Sequence, residues 1–122
     1  MHRALGTIHE ILNKAELLID CYLKIKIMII QIIKLKSALP EQELLRRAKE
    51  REPQFKAIPG LLQKYYTKIG ETGQYAGIYV WDSQVSLKSY RESDLAASIP
   101  EAYELTEKPD IEILDVLFQL RD

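Results

Sequence analysis

The sequence predicts an α+β domain with the order β-α-β-β-α-β, the ferredoxin-like arrangement of a four-stranded antiparallel sheet with helices on one face. Three observations carry that expectation. Ile25 to Lys36 (IKIMIIQIIKLK) is a β-branched run of strand character. Gly60 to Asp82 (GLLQKYYTKIGETGQYAGIYVWD) has the form of a β-hairpin, two runs of β-formers joined by Gly70, Glu71, Thr72 and Gly73. Ile111 to Leu120 (IEILDVLFQL) supplies the last strand, and helical stretches separate the three.

In chain order, residues 4 to 24 read as an extra N-terminal amphipathic helix. Leu5, Ile8, Leu12, Ala15, Ile19 and Tyr22 recur at steps of three and four, with Glu10, Lys14 and Asp20 on other faces. Met28 offers a second start, so the chain divides into an extension, 1–27, and a ferredoxin-like domain, 28–122. After the first strand, Ser37 to Pro40 breaks the chain and Glu41 to about Glu52 reads as a helix. Pro40 stands near its first turn, Glu41 and Glu43 at its positive end, and Leu44, Leu45, Ala48 and Phe55 on its apolar face. Pro53 ends or kinks it. Ala57 to Gly60 (AIPG) is a loop into the hairpin. Beyond Trp81, Asp82 or Ser83 caps a helix carrying Val85, Leu87 and Tyr90. Ser93 to Leu105 is a second helical or irregular piece broken at Pro100, with a further turn from Glu101. In the last strand Glu112, Leu114, Val116, Phe118 and Leu120 share one side.

Bulk properties narrow the function classes. A chain of 122 residues is one domain, large enough for a core without disulfide or metal staples. Its 17 basic and 18 acidic residues nearly cancel, so no net field recruits nucleic acid or an anionic membrane. The single cysteine, Cys21, excludes an internal disulfide and a cysteine-based zinc site, which fits a cytoplasmic location. Charged residues interrupt the N-terminal segment, against a secretory signal, and Ile25 to Ile33 is far shorter than the roughly 20 residues of a membrane helix. Both sides of the predicted strands carry apolar residues, so a bare sheet face would be a large apolar patch. Homodimerisation would cover it.

IPGLLQKYYTK, then GQYAGIYVWDS, then a helix with Tyr90, resembles the small YdhR-type monooxygenases, relatives of the antibiotic-biosynthesis monooxygenases in the dimeric α+β barrel superfamily. The resemblance covers about Met28 to Arg121. It implies a homodimer with a pocket in each subunit between sheet and helices. It also implies an oxidoreductase that oxidises a small aromatic or quinol-like molecule with molecular oxygen as cosubstrate, without a bound cofactor; flavin is not indicated. Haem-binding cousins use a pocket histidine, but His2 and His9 both lie in the extension, so no haem or other metal ligand is assigned. Trp81 matches the pocket tryptophan of the related monooxygenases.

Such a reaction needs flat walls, a proton acceptor and donors to an oxyanion. A hairpin closing symmetrically about Thr72 sets Tyr65 against Tyr79 and Gln63 against Trp81. A one-residue slip exchanges Tyr65 for Tyr66 and Gln63 for Lys64. Both registers stay open, so the candidate catalytic residues are Trp81, Tyr79, Tyr65 and Tyr66. Lys64, Tyr90 and Asp115 are candidates for substrate binding, Asp115 because a carboxylate inside an apolar strand is either a proton relay or an ion-paired seam residue. Each aromatic also has an ordinary packing role open to it. Arg46, Arg47, Lys49 and Arg51, interleaved with Glu50 and Glu52, read as a solvated helix face. Three functions compete: the monooxygenase, a non-catalytic small-molecule-binding or sensing homodimer on the same fold, and an interaction module docking through the N-terminal helix.

Overall fold

The β-branched run becomes strand β1 (Ile29–Lys36), which lies inside the sheet because both of its edges are paired. A computed structural model describes residues 8, 10–15 and 28–121. Residues 10–15 are helical (α1), with Ile11 and Leu12 exposed. The rest of the expected N-terminal helix, Cys21 and residues 25–27 of the expected first strand lie outside the described residues. The remaining strands are β2 (Leu61–Ile69), β3 (Gln74–Trp81) and β4 (Asp110–Asp115). They form a four-stranded antiparallel sheet in the order β2-β3-β1-β4, the expected ferredoxin-like topology.

Helix α2 (Glu41–Glu50) begins after Pro40, has Glu41 and Glu43 in its first turn, and buries Leu44 and Ala48. Pro53 does not end the helical path. It occupies the first turn of α3 (Glu52–Lys56), where a missing N–H costs nothing, and the bend at Arg51 swings Phe55 into the core. Arg51 turns inward with it and lies 5.9 Å from the Phe55 ring and 5.6 Å from the Tyr103 ring. The expected solvated face therefore holds for Arg46, paired with Glu43 and Glu50, but not for Arg51.

The hairpin takes neither expected pairing, although Lys64 and Tyr66 share the face of Tyr79 as the slipped alternative would have them. Lys64 stands opposite Tyr79 and Tyr66 opposite Gly77, with an irregularity between Leu61 and Gln63. The turn is the reason. Gly70 and Gly73 both take positive φ, 54° and 76°, so Gly70 leaves the strand and the loop spans Gly70 to Gly73. Thr72 closes it by donating its hydroxyl to the Ile69 carbonyl at 2.6 Å and accepting from the Gln74 N–H at 3.2 Å.

Ser83, not Asp82, caps helix α4 (Gln84–Arg91), accepting from the Ser86 N–H at 3.1 Å. Asp82 supports that cap by accepting from the hydroxyls of Ser83 at 2.9 Å and Ser86 at 2.7 Å. Gly60 presses against this cluster at φ 82°, and its carbonyl accepts from the Asp82 N–H at 2.9 Å. The short helices α5 (Asp94–Ala97) and α6 (Ile99–Ala102) follow; Pro100 opens α6 rather than breaking the segment. Strand β4 is shorter than the expected run to Leu120. Asp115 pairs with Ile29, the first residue of β1, and only the Val116 N–H continues, donating to the Met28 carbonyl at 3.0 Å. Leu117, Phe118 and Leu120 are exposed.

The sheet has two unlike faces. Ile29, Gln31, Ile33, Tyr79 and Trp81 point to the helices and pack with Leu44, Ala48, Phe55, Leu87, Tyr90, Ile99 and Tyr103. The opposite face carries Ile30, Ile32, Ile78 and Val80 half-buried, Tyr65 and Leu114 exposed, and a Lys34–Glu112 ion pair at 3.5 Å. No helix among the described residues is long and apolar enough to cross a membrane.

A side chain at position 60 would place Cβ 2.1 Å from Ser86 Oγ and 2.6 Å from Asp82 Oδ1, besides the cost of positive φ. Gly60→Ala is expected to lose about 2–4 kcal/mol of unfolding free energy in a denaturant titration. A loss within about 0.5 kcal/mol would contradict this account of the IPG and WDS segments.

Candidate functional site

A cavity of about 240 Å³ lies between the helix-facing side of β2–β3 and the α2–α6 layer. Leu44, Ala48 and Ile99 form its aliphatic side. Lys64, Tyr66, Tyr79 and Tyr103 bring polar atoms to its wall. Gly77 helps keep the space open: it lies between Tyr75 and Tyr79 on the same face, and a Cβ there would come within 3.0 Å of Tyr79 Cε1. At the rim, Lys68 pairs with Glu41 at 3.2 Å and with Glu71 at 3.1 Å, which leaves that cluster one negative charge in excess.

Lys64 is the unusual group. Its Nζ sits 3.5 Å from the centroid of the Phe55 ring, 4.4 Å from Tyr66 and 4.6 Å from Tyr79. Among the described residues no carboxylate pairs with it. Burial, with the nearby Arg51 guanidinium adding to it, lowers the Lys64 ammonium from an ordinary 10.5 to about 7. The aromatic faces lean the other way, toward the charged form, without reversing the direction of the shift. The group is thus placed to exchange a proton near neutrality.

The phenols behave oppositely. Tyr66 is 42% exposed as a residue, but partial burial against the cavity wall pushes its phenol up to about 12, with Tyr103, Glu52 and Tyr90 adding to it. Burial also raises Tyr79 well above its ordinary value, and raises Tyr90 and Tyr103. These hydroxyls stay protonated at neutral pH and can donate. The Tyr79 and Tyr90 hydroxyls lie 3.4 Å apart. Tyr103 and Arg51 behave differently. Arg51 holds the Tyr103 hydroxyl down against the effect of burial, yet neither that hydroxyl nor Arg51 Nε has an aligned hydrogen-bond partner among the described residues.

The structure brings Lys64, Tyr66 and Tyr79 together on the cavity wall. Trp81 is 0% exposed and does not line the cavity. It stacks behind Tyr79 with ring centroids 6.2 Å apart and planes inclined by 3°, and its N–H already donates to Gln31 Oε1 at 2.9 Å. Tyr90 is likewise behind the wall, 5.6 Å from Tyr79 and 5.3 Å from Trp81. Tyr65 lies on the opposite sheet face, 54% exposed. Asp115 is exposed at the end of β4, so the desolvation expected of a carboxylate within an apolar strand is absent. Phe55, Tyr103 and Arg51 were not legible as site residues, because only the bend at Pro53 and the short turns after Ser93 bring them in. Gln31 carried a signal, a lone amide inside IIQII, which needs a buried partner. No cluster of metal-ligating side chains occurs among the described residues.

No protein-family profile and no curated protein matches the chain. Solved structures do. SnoaB from Streptomyces nogalater, a cofactor-independent oxygenase, superposes with a TM-score of 0.64 at 11% identity, covering 79% of this chain and 99% of its own. A candidate antibiotic biosynthesis monooxygenase from Caulobacter crescentus matches at 25% identity and a TM-score of 0.57, over 78% of this chain and 94% of its own. The chain has the antibiotic biosynthesis monooxygenase fold. A conserved protein from Methanosarcina mazei shares that fold at 20% identity, with a TM-score of 0.63 over 77% of this chain and 97% of its own. The antibiotic biosynthesis monooxygenase fold is what the hairpin motif led one to expect, and the matches fix it at the level of the superfamily.

A lysine lowered from 10.5 to about 7 makes stability depend on pH. Between those values the unfolded chain binds a proton that the folded protein lacks. The Lys64 contribution is therefore complete above the unfolded value and is lost as pH falls toward 7. Lys64→Met is expected to melt higher than the parent protein at pH 6, with the gap shrinking as pH rises toward 10. Parallel melting curves across that range would contradict the buried-cation account.

Proposed function

We propose that this protein is an oxygenase that binds a small, flat, aromatic or quinol-like molecule in the cavity and oxidises it with molecular oxygen, without a bound cofactor. The observation that carries this reading is Lys64, set among aromatic rings at the wall of a largely apolar cavity. SnoaB is a cofactor-independent oxygenase of the same fold, which gives the reaction class that we carry across. Residues 28–122 form the catalytic domain, and two copies associate through the apolar sheet face that carries Ile30, Ile32, Ile78 and Val80.

The chemistry follows from the groups at hand. An acidic C–H or O–H of the bound substrate gives its proton to the neutral Lys64 amine, which is available near pH 7. The resulting anion is held by the new ammonium and by the Tyr66 and Tyr103 hydroxyls. The electron-rich anion reduces dioxygen and the carbon is captured as a peroxide. With an acidic CH₂, loss of water leaves a carbonyl, so that CH₂ and O₂ become C=O and H₂O; a quinol instead passes two electrons and two protons to O₂, giving the quinone and H₂O₂. Tyr79 supplies a flat wall, and Trp81 and Tyr90 hold that ring in place from behind. Tyr65 and Asp115 have no part in this scheme.

Oxygen uptake with a panel of anthrones and hydroquinones tests the proposal. Lys64→Met is expected to reduce turnover about 10²-fold or more while the protein remains folded, and turnover of the parent enzyme should rise with pH through about 7. Turnover unchanged in Lys64→Met would remove the lysine from the mechanism. Binding of the panel without any oxygen uptake would favour the second reading, a small-molecule-binding dimer, for which the ion-paired rim of Glu41, Lys68 and Glu71 and the small cavity would serve equally well.

A further inference from the structure

The charges around the cavity do not cancel. Glu41 is engaged by Lys68, and Glu52, the acid nearest Tyr66 on α3, is engaged by Lys56 at 3.6 Å. That leaves Lys64 and Arg51 as two cations with no carboxylate partner among the described residues. Arg51 spends one N–H on the Ser98 hydroxyl at 2.8 Å, while its buried Nε is unpartnered. The second observation is Tyr103. It lines the cavity, is 6% exposed, and its hydroxyl is buried without a partner.

A buried donor left unpaired costs about 1–3 kcal/mol, and an uncompensated buried cation costs more. One oxygen anion in the cavity would answer both. From this we infer that the cavity is built for a planar small molecule carrying an ionised oxygen, a carboxylate or the equivalent enolate or phenolate. That oxygen lies between Lys64 and the Tyr103 hydroxyl, with Arg51 behind them. The inference rests on the cavity being the ligand site proposed above, and it adds the charge and size of the ligand. About 240 Å³ falls below the 300–1,000 Å³ usual for drug-sized ligands, so up to about three fused rings fit and a larger polycycle does not. The aliphatic side formed by Leu44, Ala48 and Ile99 would take the apolar edge of the ring system, away from the charged oxygen.

The groups facing Lys64 are the rings of Phe55, Tyr66 and Tyr79 and the guanidinium of Arg51. Glu41 also lines the cavity but pairs with Lys68, and among the described residues no carboxylate is ion-paired with Lys64. An arriving carboxylate would therefore restore the proton that burial removes, and binding above pH 7 would draw a proton from solvent.

Calorimetric titration of the full chain with 2-naphthoate and with its neutral carboxamide, under nitrogen, tests this. The carboxylate is expected to bind about tenfold or more tightly than the amide. At pH 8 it should take up close to one proton per ligand, read from the dependence of the heat on buffer ionisation. Lys64→Met should abolish the proton uptake, and Tyr103→Phe, which keeps the ring, should reduce the preference for the carboxylate. Equal affinity for carboxylate and amide would overturn the inference. So would failure of the carboxylate to bind at millimolar concentration, or a preference that both variants leave intact. Oxygen uptake with a neutral anthrone on the same preparation reads the proposed reaction separately. Uptake without naphthoate binding removes this inference alone, and naphthoate binding without uptake removes the reaction alone.

Discussion

The register of the β2–β3 hairpin decides what chemistry faces the helices. Strand side chains alternate, so a shift of one residue would send Lys64 and Tyr66 to the open face and bring Gln63 and Tyr65 inward. The turn makes that choice. With Gly70 and Gly73 both in the left-handed region, the loop holds an even number of residues, and Ile69 pairs with Gln74. Gly60 fixes the other end, where its carbonyl and the Asp82–Ser83–Ser86 cluster lock the start of β2 to the start of α4. Two backbone constraints, neither in the cavity, thereby decide that Lys64 and Tyr66 are the β2 side chains that reach it.

Once Lys64 points inward, its environment follows from what packs there. The bend at Arg51 brings Phe55 over the ammonium, and Tyr79 comes from the partner strand. The Tyr79 ring is itself immobilised by Trp81, whose single polar atom is satisfied by Gln31. This layered packing separates roles that the sequence alone could not. Trp81 is a support whose N–H is spent, whereas Lys64 and Tyr103 retain unmet bonding capacity at the cavity. A protein selected only for stability would favour a methionine over a lysine without a counterion at this position, because the ring contacts offset the desolvation only in part.

The strand order was readable because its signals are local: β-branched runs, a glycine-bounded hairpin, and a serine cap before Val85 and Leu87. The register was not, since both faces of the hairpin carry tyrosines and alternation is satisfied either way. The end of β4 was not, because apolar alternation continues to Leu120 while its partner strand begins only at Ile29. Arg51 looked like one more charge on a solvated helix, and only the bend that follows it turns the guanidinium toward the core. Tyr103 gave no periodic signal, since two single-turn helices carry the chain to it. Elements are written in short windows of sequence; the site depends on how distant windows meet.

The proposed chemistry depends on Lys64 being a half-buried amine with an abnormal titration, and this can be observed directly. Proton–carbon NMR of protein labelled at the lysine ε-carbons, followed from pH 5 to pH 11, resolves each lysine by its titration midpoint. One resonance should titrate near 7 and vanish in Lys64→Met. If every lysine instead titrates near the ordinary value of about 10.4, Lys64 is an ordinary solvated ammonium and the proposed chemistry of the cavity fails.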